Sequence, residues 1–308
     1  MDFVRGLHNL RPRHRGCVVT IGAFDGVHLG HQEMLRVVRE QARAYGAPAT
    51  VIAFEPTPRE YFAKGVPPAR LTRFRERFDA LALYGIDRFV CLRFDERMRS
   101  MTEDAFIEQV LVQGLGVKHV VVGHDFRFAR DHKGSVDTLR AAGPANGFEV
   151  TEVQPFELAG ERVSSSYIRG LLEQGDMQRA AKFLGRPYRI TGKVIAGQRL
   201  GRKLGYPTAN LRLHRRATPI AGIFAVRVSG AGLKSAPGVA SLGTRPAVNG
   251  KELLLEAHVF DFAGDLYRRY VHVDFVERLR DELWFASLDE LVEQIHKDAA
   301  QARRILAA

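Results

Sequence analysis

Two histidines set among glycines are the residues of this chain best suited to handling phosphate. The run VVTIGAFDGVHLGHQEML at 18–35 holds Gly22, Gly26 and Gly30 together with His28 and His31. A β-rich stretch ends at Gly22, and a helical pattern begins near Gly30. Glycines let a backbone approach a ligand closely. A helix N-terminus adds unpaired N–H groups and the positive end of its dipole. Imidazoles at that point can donate hydrogen bonds to phosphate oxygens as charge builds in a transition state. The same pair could ligate a metal, but the chain has no HExxH pattern and no evident third ligand.

Three further segments carry reactive groups. In VSSSYIRG at 163–170, Ser164, Ser165 and Ser166 can cap a helix and offer hydroxyls, and Arg169 adds a cation. In GKVIAGQRLGRKLGYPTANL at 192–211, glycines including Gly197 and Gly201 alternate with bases including Arg202. That run is not a Walker A loop, because GxxxxGK[ST] is absent. It ends on Thr208 and Asn210, two oxygen donors of the kind that hard cations take. In KELLLEAHVFDF at 251–262, period-two alternation puts Leu253, Leu255, Ala257 and Val259 on one face and Glu256 and His258 on the other. A carboxylate so placed can take the proton of an attacking hydroxyl.

The elements that must position these groups fall into two blocks. Strand patterns at 17–22, 49–54, 88–93, 119–122 and 148–153 alternate with helical patterns at 30–45, 73–84, 102–113 and 134–142. That alternation predicts a doubly wound α/β domain with a parallel sheet, whose ligands bind at the carboxyl ends of the strands. Helices follow at 166–174 and 176–184. Short strands at 188–196, 222–228, 238–241, 252–262 and 270–275, with Gly/Pro turns and few helices, then predict an antiparallel barrel. A closing helix is marked by a Ser287/Glu290 capping box, with Leu288, Leu291 and Ile295 as its apolar stripe. The domains are set at 1–184 and 185–308.

Bulk properties agree with a folded two-domain protein: 308 residues, 45% hydrophobic, 26% charged. The apolar runs are too short to span a bilayer, and the N-terminus has no secretory h-region. Cys17 and Cys91 sit in apolar strand patterns and read as buried thiols, which points to the cytoplasm. The net charge of +11 is dispersed apart from RPRHR at 11–15, and no zinc-finger, RRM or KH signature accompanies it. A solvated basic surface accounts for most of that charge, and recruitment of polyphosphate substrates fits the rest better than nucleic acid does.

HLGH at 28–31 matches the HxGH motif of the nucleotidyltransferase superfamily, and GAFDGVHLGHQ resembles its FMN adenylyltransferase branch. VSSSYIRG is similar to the superfamily's second motif. FEPTPREYF at 54–62 resembles FEPHPREFF with Thr57 for His. VGHDFRFARDHKG at 122–134 resembles VGxDFRFGxxRxG, with Ala129 for Gly and His132 for Arg. The second block resembles riboflavin kinases in its glycine-rich loop, PTAN and LEAHVFDF. The segment at 278–298 extends that match, and SLGTRPAVNG departs from GxRPTF at Ala247 and Val248.

The whole chain thus resembles the bacterial bifunctional riboflavin kinase/FMN adenylyltransferase (FAD synthetase) family. The resemblance implies catalytic roles for His28, His31, Arg169 and Glu256. It implies ATP or phosphate contacts at Gly22, Phe24, Asp125, Ser164, Ser165, Ser166, Gly197, Gly201 and Arg202. Flavin contacts would come from Phe62, Phe128 and Arg280, and Thr208 and Asn210 would hold Mg²⁺ with ATP. Riboflavin, FMN, FAD and ATP are the implied partners, with no nucleic acid and no membrane. Ala129 requires that its backbone not be glycine-only. Two other readings stand beside this one: an enzyme with one working half, and a basic flavin- or RNA-binding protein that has lost catalysis. The charged and polar groups kept at both motif sets argue against the second.

Overall fold

The computed structural model describes residues 1–196, 204–213, 215, 217–247 and 250–307. The chain forms two compact units, Met1–Pro68 with Thr72–Ser164, and Ala69–Leu71 with Ser165–Ala308.

Buried apolar runs build the first unit. β1 (Asp2–Arg5), β2 (Val18–Ile21), β3 (Ala49–Glu55), β4 (Arg88–Arg93), β5 (His119–Gly123) and β6 (Glu149–Val153) form one sheet in the order β1-β4-β3-β2-β5-β6. Every pairing in it is parallel. All four residues of β2 are buried, as expected of a strand covered on both faces. Val19, Ile21, Val90, Val120 and Val122 pack into one core. Their neighbours Val18, Val51, Phe89 and Val121 pack into a second. α1 (Leu29–Ala44) and α3 (Phe74–Leu83) cover the second core through Leu35, Val38 and Leu81. The helical segment predicted at 102–113 is a turn of α-helix that passes into a π-helix at Ile107–Gly114. β2 lies between β3 and β5, so the order reverses there, and the loop leaving β2 opens at the switch point where such sheets bind ligands. The edge strand β1 was not foreseen; its four residues bury only Val4 and show no period.

The second unit begins with α7 (Ser165–Glu173) and α8 (Met177–Leu184), which sequence patterns assigned to the first domain. A closed antiparallel barrel follows, built from β9 (Tyr188–Ile195), β10 (Ala209–Arg212), β11 (Gly222–Gly230), β12 (Leu233–Ala247), β13 (Gly250–Val259) and β14 (Tyr270–Arg280). Tyr188, Ile190 and Val194 alternate inward along β9, and Leu255, Ala257 and Val259 do so along β13. β12 extends well beyond the predicted 238–241. β10 forms from the PTAN segment, which carries no strand alternation.

The closing helix α9 (Leu288–Ala307) keeps its expected cap, with the Glu290 amide donating to Ser287 Oγ. Its buried face differs from the predicted stripe. Ala299, Ala302 and Leu306 pack against Ala225, Val239 and Phe260, whereas Leu288 is exposed. Small side chains let the C-terminal half approach the barrel, and that half makes the packing contact.

Candidate active sites

In the first unit the loop after β2 is bent by residues in left-handed conformations: Phe24 (φ 50), Gly26 (φ 84) and Val27 (φ 43). Positive φ is natural for glycine and uncommon for phenylalanine or valine. The chain then enters α1 with His28 as its N-cap. His28 Nδ1 accepts from the His31 amide at 3.3 Å. With Nδ1 accepting, a neutral His28 carries its proton on Nε2. The two imidazoles stack with centroids 3.7 Å apart. Burial, then His28, then the Arg77 guanidinium push His31 well below the usual histidine range, so the ring is neutral at pH 7. Its Nδ1 has no hydrogen-bond partner among the described residues. A Cβ on Gly30 would lie 3.4 Å from the His28 ring and 3.5 Å from the Val163 carbonyl oxygen. The segment leading into the serine motif thus runs close over the first turn of α1.

The other predicted groups of this unit differ in what they present. Phe24 is buried, so its backbone is what it can offer a ligand. A Cβ on Gly22 would lie 3.1 Å from that ring. Asp125 pairs with Arg162 at 2.6 Å, which holds its carboxyl below the usual range. Phe62 is 53% exposed and stands edge-on to Tyr61 and Phe94. Phe128 is buried, stacked on Phe126 and packed against Gly134. Its backbone closes a bridge to Gly134, which ties off the 128–134 loop. Ala129 in that loop has φ 63 and ψ −175, a glycine region, contrary to what its side chain demands. Thr57 caps the short helix Pro58–Tyr61 and shares a capping box with Glu60. Ser164 ends the first unit, whereas Ser165, Ser166 and Arg169 belong to α7 in the second. Within α7, Arg169 donates to Ser166 Oγ at 3.4 Å.

Sequence patterns missed the residues that hold the histidine loop. Arg77, buried in α3, donates to the Ala23 carbonyl at 2.8 Å and to Glu55 at 3.2 Å. Thr72 bonds to both Asp25 and Gly26. The available signal for Arg77 was a charged residue on the apolar face of the helix, at i+3 from Phe74 and i−4 from Leu81.

In the second unit strand register does the assembly. Asn210 on β10 pairs with Glu256 on β13, and Glu256 pairs with Ser241 on β12. Directly opposed residues share a face, with Cβ atoms about 4.5–5.5 Å apart. The next row, Leu211, Leu255 and Leu242, points into the barrel. Asn210 Nδ2 donates to the Thr208 carbonyl at 3.3 Å, so Oδ1 is the amide atom left as an acceptor. His258 Nδ1 donates to the Pro207 carbonyl at 2.8 Å and fixes the segment before Thr208. Thr208 and Asn210 line a cavity of about 430 Å³ with Val194, Val259 and the 262–267 loop. Neutral oxygen donors at its wall suit a hard cation that brings phosphate oxygens as its other ligands. No group of three or more His, Cys, Asp or Glu side chains placed to hold a metal ion occurs among the described residues. Arg280 is committed to Asp298 of α9, with Nη2–Oδ2 at 2.6 Å. Gly197, Gly201, Arg202 and Val248 lie outside the described residues. Cys17 and Cys91 are buried and take part in no disulfide among the described residues, and no described helix is long and apolar enough to cross a membrane.

Comparison with known proteins covers both units. An FAD synthetase family model matches residues 10–167, and a riboflavin kinase family model matches 184–306. A bifunctional riboflavin kinase/FMN adenylyltransferase from Pseudomonas fluorescens is 49% identical over 100% of this chain and 98% of its own. One from Escherichia coli K12 is 45% identical over 98% of this chain and 97% of its own. A solved structure described as a macrolide-efflux protein from Streptococcus pneumoniae is 30% identical, with a TM-score of 0.84 over 97% of both chains.

Proposed function

The chain belongs to the bifunctional riboflavin kinase/FMN adenylyltransferase family, and on that premise we propose how its residues divide the work. The enzyme phosphorylates riboflavin to FMN with ATP, and it adenylylates FMN with a second ATP to give FAD and pyrophosphate. We assign the second reaction to residues 1–184 and the first to residues 185–308.

For adenylyl transfer, a phosphate oxygen of FMN attacks the α-phosphorus of ATP, and the bond to the pyrophosphate oxygen breaks. His28 and His31 stabilise the charge gathering on the phosphate oxygens from the N-terminus of α1. Ser164, Ser165, Ser166 and Arg169 take the remaining triphosphate oxygens. Gly22 and Phe24 line the loop with backbone, and Asp125 acts beside Arg162. Phe62 presents the exposed ring on which an isoalloxazine can stack; Phe128 contributes by shaping the 128–134 loop. The stacked histidine pair at the switch point is the observation that supports this half.

For phosphorylation, Glu256 takes the proton of the ribityl hydroxyl as its oxygen attacks the γ-phosphorus, and ADP leaves. Thr208 and Asn210 would hold Mg²⁺ with ATP, which neutralises charge on the phosphates. Gly197, Gly201 and Arg202 contact the nucleotide, and Arg280 fixes the edge of the flavin region through Asp298. The pairing of Glu256 with Asn210, itself in the cavity wall, is the observation that supports this half. Cytoplasmic residence is part of this reading, supported by two buried thiols that form no disulfide among the described residues.

Product chromatography tests the two-reaction reading. Riboflavin, ATP and Mg²⁺ given to the purified protein should yield both FMN and FAD. FMN alone would leave only the kinase half standing, and no ATP-dependent product would return the chain to a binding role.

A further inference from the structure

We propose that Thr72 is a positioning residue for adenylyl transfer, holding the loop that carries His28 through a closed ring of hydrogen bonds. The inference rests on the adenylyltransferase reading of that loop. Thr72 Oγ1 accepts from the Gly26 amide at 2.9 Å and donates to Asp25 Oδ1 at 3.2 Å. The Thr72 amide donates to the same Asp25 oxygen at 2.9 Å. One hydroxyl therefore uses its single proton and a lone pair to bind two consecutive loop residues, and the backbone beside it binds one of them again. Thr72 is buried, so water does not substitute freely for these bonds.

The ring of bonds lies where the loop needs support. Phe24, Gly26 and Val27 hold left-handed conformations on either side of Asp25 and immediately before His28. Phenylalanine and the β-branched Val27 reach that region only when their surroundings impose it. Arg77 restrains the same loop one residue earlier through the Ala23 carbonyl. A change in the Val27 backbone moves His28, whose Nδ1 receives the His31 amide. The imidazole stack thus depends on the loop's shape. Thr72 itself sits at the start of the α3 region, outside the motifs that carry the histidines.

The test uses the full-length chain with Thr72→Val, which keeps the shape and removes the hydroxyl, and Thr72→Ser, which restores it. With supplied FMN and MgATP, Thr72→Val should lower kcat for FAD formation by about tenfold to a hundredfold while KM for FMN moves little. FMN formation from riboflavin in the same preparation should stay at the wild-type rate. Thr72→Ser should recover kcat to near wild type, and the Gly26 amide should exchange with solvent faster only in Thr72→Val. Wild-type kcat in Thr72→Val would overturn the proposal. So would a loss that Thr72→Ser does not reverse, or a joint fall in both activities. If wild type forms FMN but no FAD, the adenylyltransferase reading fails first and takes this inference with it.

Discussion

The two candidate sites are assembled by different means. In the first unit, a loop with three residues in left-handed conformations, Phe24, Gly26 and Val27, delivers His28 to the start of α1, and side chains from outside the loop hold it there. In the second, Asn210 and Glu256 meet because two extended strands pair in one register, and ordinary β-geometry does the positioning. A site built on a loop depends on remote restraints such as Thr72 and Arg77. A site built on paired strands depends on the barrel as a whole, since a slip of one residue would turn Asn210 and Glu256 inward.

Glu256→Gln breaks the comparison most sharply if the assignment is wrong. The substitution keeps size and strand pairing but removes the proton acceptor. FMN formation should fall by about 10²–10⁴-fold, while FAD formation from supplied FMN continues at the wild-type rate. Product assays with riboflavin and with FMN as alternative substrates separate these outcomes. A parallel loss of both activities would show that the two sites are not independent.

His31→Ala is the mirror experiment, with a somewhat smaller expected effect. Loss of a donor to developing negative charge costs about 10²–10³-fold in kcat, here in FAD formation alone. His31 suits the test better than His28, because His28 also caps α1 and its removal would cost helix stability. The His31 amide remains to bond His28 Nδ1 in the variant. Steady-state FAD formation at wild-type rates would remove His31 from the mechanism.

The same contrast explains what the sequence disclosed. Both strand–helix alternation and the inward face of β13 were legible, because Val18, Val51, Leu255 and Ala257 follow the periods of the structures they enter. The motif strings also carried the histidines, Asn210 and Glu256. Their pairing was not legible, because register between β10 and β13 is a long-range property, and PTAN has no alternation to announce a strand. Thr72 and Arg77 were hidden for a related reason: each acts on a loop far away in sequence. The α9 stripe misled because Leu288 is apolar yet exposed, while packing uses Ala299 and Ala302. The Arg280–Asp298 ion pair is a further contact that the motif position did not announce.

Ala129 offers the smallest and most local sharpening of the contrast. Its φ of 63 and ψ of −175 fall where a Cβ is disfavoured, in a loop also shaped by positive φ at Asp131 and His132. Strain of this kind costs about 1–3 kcal/mol, and glycine would relieve it. Glycine also raises the entropy of the unfolded chain, which offsets about 0.4–1 kcal/mol of the gain. Ala129→Gly should therefore stabilise the first unit by about 1 kcal/mol, a rise of about 2–4 °C in its unfolding midpoint. Thermal unfolding followed by a probe in each unit measures this directly. The barrel's transition should not move, because its site does not depend on that loop's conformation. A lower midpoint for the first unit would mean that the Ala129 side chain contributes packing worth more than its backbone strain, which would place this loop with the register-built parts of the molecule.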